Sequence, residues 1–327
     1  MEHSQRRLGR RGALALFAGS ATARAQPVPA WPSRPLRLVV PFAPGGPTDV
    51  MARVLAPGLS SALGQPVVVE NRPGGGGNVG VAYVARSAPD GLTLLVTSTG
   101  FVVNPSLFRN AGYDPVADFA PITELGASPN VVLARPDSGI GSIAELIDRA
   151  KATPGGLNLA NPGTGSTPHL TAELLRLRAG IDFVQIPHNS AALAVQSLLS
   201  GTTAVGVTAL PPAHAQIKAG TLRALALTGE VRWPDLPEVP TMLELGWPGF
   251  VSETFQGFLA PAGTPGLIVE RLAQEAAAVL GDPATRARLL AAGFALRANG
   301  PEALAARIAT EVPLWRALIG QAGLQRE

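Results

Sequence analysis

Short apolar runs alternate along this chain with longer stretches whose apolar positions recur at helical spacing. Leu36-Arg37-Leu38-Val39-Val40-Pro41 is a β-rich run. From Asp49 to Leu63, the apolar residues Val50, Val54, Leu55, Leu59 and Leu63 mark one helix face. Val67–Asn71 reads as a strand, Gly80–Arg86 as a helix and Leu92–Thr97 as a third strand. These strands are continuously apolar rather than alternating, which predicts a parallel sheet buried on both faces by helices. The pattern then repeats. Helices are predicted over Ile143–Ala152, Thr167–Ala179, Ala191–Leu199 and Pro211–Ala219. Strands are predicted over Leu157–Ala160, Val184–Pro187, Thr203–Thr208 and Leu222–Thr228. A Pro-rich crossing follows Arg232-Trp233-Pro234, and Glu253–Ala260 is a late apolar run. Helices over Pro265–Leu280, Pro283–Ala292 and Pro301–Ala322 each open on proline, the expected first-turn residue.

The pattern implies an α/β protein of two lobes, each a sheet flanked by helices. The expected division puts residues 26–130 and 235–327 in the first lobe and 131–234 in the second. Ala127–Arg135 and Gly229–Pro240 are the candidate hinge crossovers.

Charge changes the picture mainly at the N-terminus. The 327 residues carry a formal charge of +3. Residues 1–25 hold Arg6, Arg7, Arg10, Arg11 and Arg24 against Glu2, which leaves 21 basic and 22 acidic residues in the remainder. No basic stripe survives, so a nucleic-acid partner is not expected. The first 25 residues have the layout of an export signal: a basic start, an apolar stretch from Gly12 to Ala18, and Ala23-Arg24-Ala25 as a cleavage site. The two Arg-Arg pairs suit a twin-arginine signal, and a general secretory signal fits as well. No later run is long enough to span a bilayer, so an exported, periplasmic protein is expected. The chain has no cysteine, which excludes disulfides, thiolate metal sites and cysteine nucleophiles.

Three glycine-rich turns carry the candidate chemistry. Pro41-Phe42-Ala43-Pro44-Gly45-Gly46-Pro47-Thr48-Asp49 leaves a strand and opens a helix. Its glycines expose backbone amides at a helix N-terminus, where the dipole favours an anion. Asn161-Pro162-Gly163-Thr164-Gly165-Ser166-Thr167-Pro168-His169 repeats this arrangement in the second half. Taken singly, either turn also suits a plain strand-to-helix connection with an ordinary N-cap. Together they would face one crevice at the carboxyl ends of two sheets. Arg72 to Gly80 contains a G-x-G-x-x-G match, but the next strand ends Val96-Thr97-Ser98-Thr99-Gly100 without the carboxylate a dinucleotide site needs. A glycine-lined cleft wall is the better reading, with the Thr97-Ser98-Thr99 hydroxyls either contacting ligand or capping the helix from Phe101. No cofactor is expected. No hydrolase elbow, metal-ligand spacing or phosphate-loop motif is present, so neither a metal site nor catalysis is expected. His169 sits in a helix first turn, where local packing explains it. His188 ends a strand and either reaches the cleft or lies on the surface.

Several motifs resemble the Bug-type receptors, the periplasmic substrate-binding proteins of tripartite tricarboxylate transporters. These are Trp31 to Asp49, Gly64-Gln65-Pro66-Val67-Val68-Val69-Glu70-Asn71-Arg72-Pro73-Gly74 and Ala88-Pro89-Asp90-Gly91. Tyr113-Asp114-Pro115, Leu236-Pro237-Glu238-Val239-Pro240-Thr241 and Leu259-Ala260-Pro261-Ala262-Gly263-Thr264-Pro265 follow in the family's order. The resemblance spans about residues 31–323. It implies a two-lobed periplasmic binding protein of type II-like architecture and a small carboxylate held by loop amides, hydroxyls and water. The implied partners are the membrane permease subunits of such a transporter, or alternatively a signalling protein that senses occupancy. A monomer is expected.

The candidate contacts are Phe42, Gly45, Gly46, Thr48, Asp49, Ser98 and Thr99 from the first lobe. From the second they are Gly163, Thr164, Gly165, Ser166, Thr167 and His188. Two departures bear on the ligand. Relatives usually carry tyrosine, a basic residue and glycine where this chain has His188-Asn189-Ser190. They commonly place an acidic or amide residue with an aromatic near Val207, where Gly206-Val207-Thr208-Ala209-Leu210 is smaller. A roomier, less charged pocket is expected, suited to a monocarboxylate or an aromatic acid.

Overall fold

The computed structural model describes residues 31–324, so the expected export signal lies outside the described residues. In chain order the first part is β1 (Leu36–Val40), α1 (Pro47–Leu63), β2 (Val67–Asn71), α2 (Asn78–Ala85), β3 (Thr93–Ser98) and α3 (Gly100–Leu107). Then come β4 (Phe119–Ala134), α4 (Ile143–Ala152), β5 (Asn158–Asn161), α5 (Thr167–Ala179), β6 (Val184–Pro187), α6 (Ala191–Leu199), β7 (Val205–Ala209), α7 (Leu210–Lys218) and β8 (Arg223–Leu227). The chain ends with β9 (Glu253–Pro261), α8 (Gly266–Gly281), α9 (Pro283–Ala291), β10 (Ala295–Leu296) and α10 (Gly300–Ala322).

The apolar runs become central strands, as their composition predicts. Leu38, Val39 and Val40 are buried on both faces of β1, which pairs parallel with β2 and β3. Beyond β3 the sheet is not parallel. β9 pairs antiparallel with β3, and β4 pairs antiparallel with β9. In the second sheet β5 runs parallel to β6 and β7, while β4 is antiparallel to β7 and β8. The expectation of parallel sheets therefore holds only for the strands joined by helical crossovers. α1 buries Met51, Leu55 and Leu59, and ends at Gly64 in the left-handed conformation. α8 comes so close to α1 that a Cβ on Gly58 would lie 2.4 Å from Val279 Cγ2, so glycine is required there.

β4 belongs to both sheets. Its Phe119–Pro129 segment pairs with β9, and its Asn130–Ala134 segment with β7. Past the junction its side chains alternate between two cores. Val132 and Ala134 face a cluster with Leu159, Leu175 and Val207; Val131 and Leu133 face one with Leu198, Leu210 and Trp233. Leu236 and Val239 join the second of these clusters, and Met242 and Phe250 the first. Residues 236–250 thus pack on the second sheet, whereas the sequence division at 234/235 assigned them to the first lobe. An apolar stretch must follow the core that buries it. We infer that the second lobe runs from 130 to 252, with the return crossing at Ser252–Glu253.

A buried polar knot holds the crossings together. The Asn130 backbone N–H donates to Thr228 Oγ1 at 3.0 Å. The Thr228 N–H donates to Asn130 O at 2.9 Å, and the Ser252 N–H donates to Thr228 O at 2.9 Å. The Asn130 side-chain amide donates to Thr171 Oγ1 at 2.9 Å and Ser252 Oγ at 3.1 Å, and its Oδ1 accepts from Thr254 Oγ1 at 2.9 Å. All these residues are buried. On the first lobe, buried Glu124 of β4 accepts from Arg307 Nη1 of α10 at 2.7 Å and pairs with Arg297 at 3.2 Å.

Asn130→Ala removes three side-chain hydrogen bonds and leaves buried hydroxyls short of partners. It should lower unfolding free energy by about 2–4 kcal/mol, read as a lower urea midpoint with unchanged slope.

Candidate ligand-binding site

The first glycine-rich turn is shaped by Asp49. Its Oδ2 accepts from the Gly45 N–H and from Arg53 Nε, both at 2.9 Å, and its Oδ1 accepts from Asn71 Nδ2 at 2.9 Å. Asn71 Nδ2 also donates to Phe42 O at 3.0 Å. The carboxylate is 3% exposed and lies behind the turn. Burial pushes its pKa up, but the hydrogen bonds from Arg53, Gly45 and Asn71 outweigh that and hold it below the ordinary carboxylate value. With Gly45, its N–H spent on Asp49, this residue positions the loop rather than lining the cleft. At the start of α1, Gly46 is the N-cap, Pro47 follows, and no side chain caps the first turn.

The second turn follows β5. Asn161 Oδ1 accepts from the Gly163 N–H at 2.9 Å. Gly163 and Gly165 take φ of 108° and 85°, values that side chains other than glycine resist. Ser166 caps α5: its Oγ accepts from the His169 N–H at 3.3 Å and donates to Gly163 O at 2.7 Å. Its hydroxyl proton is thereby committed within the loop. Thr167, 2% exposed, has no partner for its hydroxyl. A Cβ on Gly165 would lie 2.6 Å from Asn104 Oδ1 of α3, so the second-lobe loop rests directly on the first lobe.

Between these turns lies an inner cavity of about 100 Å³. Four helix starts meet on it. α1 contributes Gly46, Pro47 and Thr48; α5 contributes Ser166, Thr167 and Pro168; α6 contributes Ser190 and Ala191; α7 contributes its N-cap Ala209. The start of α7, like that of α1, has no side-chain cap. Ser98 and Thr254, at strand ends, and Phe42 complete the lining. An outer cavity of about 690 Å³ shares Phe42, Ser98, Pro162, Ser166 and Asn189 with it. That outer space is walled by Gly74–Gly77, Phe108, Gly163, Thr164, Gly165 and His188. No Asp, Glu, Lys or Arg lines either cavity. The positive field at this lining comes from its helix starts, each carrying roughly half a positive charge, and not from ionised side chains.

The structure brings together Phe42, Gly46, Thr48, Ser98, Ser166 and Thr167 at the inner cavity, and Gly163, Thr164, Gly165 and His188 at the outer one. Three candidates fall outside both. Gly45 and Asp49 form the support just described. Thr99 is fully buried, accepting from the Phe255 N–H at 3.1 Å and donating to Glu253 O at 3.3 Å. It fastens β3 to β9. The expected glycine-lined wall is realised by Gly74–Gly77. Sequence reasoning missed Ser190, Ala209 and Thr254. Ser190 was findable as a hydroxyl before a predicted helix; Thr254 arrives by a return crossing that leaves no local signal.

The sequence profile of the tripartite tricarboxylate transporter family receptor matches residues 51–324. The chain belongs to this family. It is a family of periplasmic solute-binding receptors, and solved relatives share the fold. The periplasmic binding protein BugD is 38% identical, with 91% of this chain and 100% of that one covered at a TM-score of 0.85. Rpa4515 of R. palustris, solved with adipate, is 34% identical, with 90% and 98% covered at a TM-score of 0.85. MatC from Rhodopseudomonas palustris, solved with malate, is 32% identical, with 88% and 100% covered at a TM-score of 0.83. Membership accounts for the two-lobed architecture and for the motifs in the loops. No helix among the described residues is long and apolar enough to cross a membrane.

Asp49→Asn removes the charge that organises the first loop and should cost about 1–3 kcal/mol of stability at pH 7. Because the native pKa lies below the unfolded value of about 3.9, this contribution is present above that value and is lost as pH falls through the native one. Urea denaturation of wild type and variant from pH 7 downward should show the two curves converging in acid.

Proposed function

We propose that this receptor captures a small carboxylate in the inner cavity as its lobes close, and delivers it to the membrane subunits of a tripartite tricarboxylate-type transporter. The carrying observation is the meeting of four helix starts on a cavity that no charged side chain lines, two of them uncapped by any side chain. That arrangement favours one small anion over a cation or a neutral sugar. Thr167, buried and with an unpartnered hydroxyl, supplies a donor at the α5 end; Thr48 does so at the α1 end. The adipate and malate bound by the two relatives have the same anionic group.

The magnitudes are consistent with this reading. A helix start stabilises an adjacent anion by about 0.3–1 kcal/mol when exposed and up to about 2 when partly buried. Four such ends, with charge-assisted hydrogen bonds, approach the roughly 8 kcal/mol of micromolar affinity. Closure removes water and strengthens each term. Ser166 has a supporting part in this scheme: it holds the α5 turn, and the ligand meets the residues on either side of it.

The test is a thermal-shift and calorimetric screen of the chain from Gln26, freed of ligand, against mono-, di- and aromatic carboxylates. A ligand at about 100 times its dissociation constant adds about 2.7 kcal/mol of stability, a readable shift. Thr48→Ala and Thr167→Ala should each weaken binding by about 1–2 kcal/mol, while Ser166→Ala should lower the melting temperature by loss of a cap worth about 1 kcal/mol. A folded, ligand-free protein that responds to no carboxylate would overturn the assignment.

A further inference from the structure

Gln256 of β9 is 0% exposed, and neither end of its amide has a hydrogen-bond partner. A buried amide unsatisfied at both ends is costly, and a native structure keeps one where something besides its own atoms completes it. Its surroundings say what that is. In the antiparallel register Gln256 stands opposite Ser98, and Thr254 opposite Ser128. Opposed residues share a sheet face, as do residues two apart on one strand. Ser98, Gln256, Thr254 and Ser128 therefore form one polar patch, and its Ser98 and Thr254 members line the inner cavity. Ser128 is itself fully buried with an unpartnered hydroxyl. The Thr254 hydroxyl proton is spent on Asn130 Oδ1, which leaves that oxygen as an acceptor toward the cavity.

We infer that Gln256 reads a neutral polar substituent on the ligand, so that the preferred ligand is a hydroxy- or oxo-substituted monocarboxylate. This rests on the carboxylate reading above. The carboxylate takes the helix starts, and the substituent takes the side of the cavity lined by Ser98 and Thr254, behind which Gln256 lies in the same sheet face and is reached as the substituent enters the patch. An amide both donates and accepts, which suits a hydroxyl or a carbonyl oxygen. A second carboxylate on this patch would meet no cation, since the patch is entirely neutral, and burying it there is unfavourable. The specificity thus differs from that of the relatives solved with adipate and malate.

Calorimetry with matched acids tests this: butyrate against 3-hydroxybutyrate, and benzoate against 3-hydroxybenzoate, on wild type and on Gln256→Met, which keeps the length and removes the amide. In at least one pair wild type should bind the hydroxy acid about tenfold more tightly. Gln256→Met should bring the two members within twofold, through loss of affinity for the hydroxy acid, and keep or raise the melting temperature of ligand-free protein. A preference that survives in Gln256→Met overturns the inference, and so do equal affinities within every pair in wild type. If Gln256→Met does not fold, Gln256→Asn, which draws the amide back, is expected to lose the preference in its place, and its retention there overturns the inference. Binding of adipate or malate without any of the monocarboxylates overturns this inference and leaves the carboxylate reading standing. Binding of no acid overturns both.

Discussion

The side-chain amide of Asn130 is the point through which the rest of this structure is tied. One strand has to pass from the first sheet to the second without leaving open backbone groups in a place that water does not reach. Asn130 sits where β4 changes partners, and its amide reaches Thr171 of α5, Ser252 at the return crossing and Thr254 of β9. One of those three lies on a helix whose start lines the inner cavity, and another lines that cavity itself. Bonds that satisfy the junction therefore also tie together elements that line the cavity. An apolar side chain at 130 could fill the space, but it would strand the hydroxyls around it.

From that junction the logic of the cleft follows. Strands in both sheets deliver their carboxyl ends to the same crevice, so the helices that follow them start there. The resulting positive field is built of backbone and cannot be titrated away near neutral pH. The chain also guards that field. The one carboxylate in the first turn of α1, Asp49, would otherwise compete with an incoming anion. It is turned back onto Gly45, Arg53 and Asn71, where its charge is neutralised and shapes the loop. The Arg53–Asp49 pair is half exposed on the arginine side, so its worth lies in the geometry it imposes more than in Coulomb energy.

Much of this was legible before the structure. β2, α4, α5, β6 and α6 occupy the expected residues, because each combines a clean period with a start or stop signal such as Ser142, Ser166 or Ser190. Both cavity-lining turns were legible too, since strand, glycines and helix follow one another in sequence. The length of β4 was not. Pro121 and Pro129 interrupt its pattern, and a strand that changes sheets changes which face is apolar at the junction. The inferred end of the second lobe differs from the sequence division for a related reason: residues 236–250 carry loop composition, and only the cores they enter reveal where they pack. At the site, a hydroxyl's place in the chain told nothing of where its proton goes. Ser166, Thr99 and Thr167 look alike in a sequence, yet the first caps a helix, the second joins two strands, and the third has no partner.

That contrast between spent and unspent polar groups carries the functional argument furthest. The junction of the lobes is crowded with buried hydroxyls and amides. Most of them, Asn130, Thr171, Thr228 and Ser252 among them, are bonded to one another and serve the fold. The unpartnered ones include Thr167 in the cavity wall and Gln256 and Ser128 in the sheet beneath it, as well as Thr97 of β3 and Thr208 of β7. A core under selection for stability alone would replace these by apolar residues of similar size. Beside a cavity, such unpartnered groups are available to an occupant, at a cost in folding stability. Thr254 stands between the two populations, with its proton committed to the hinge and its oxygen facing the cavity.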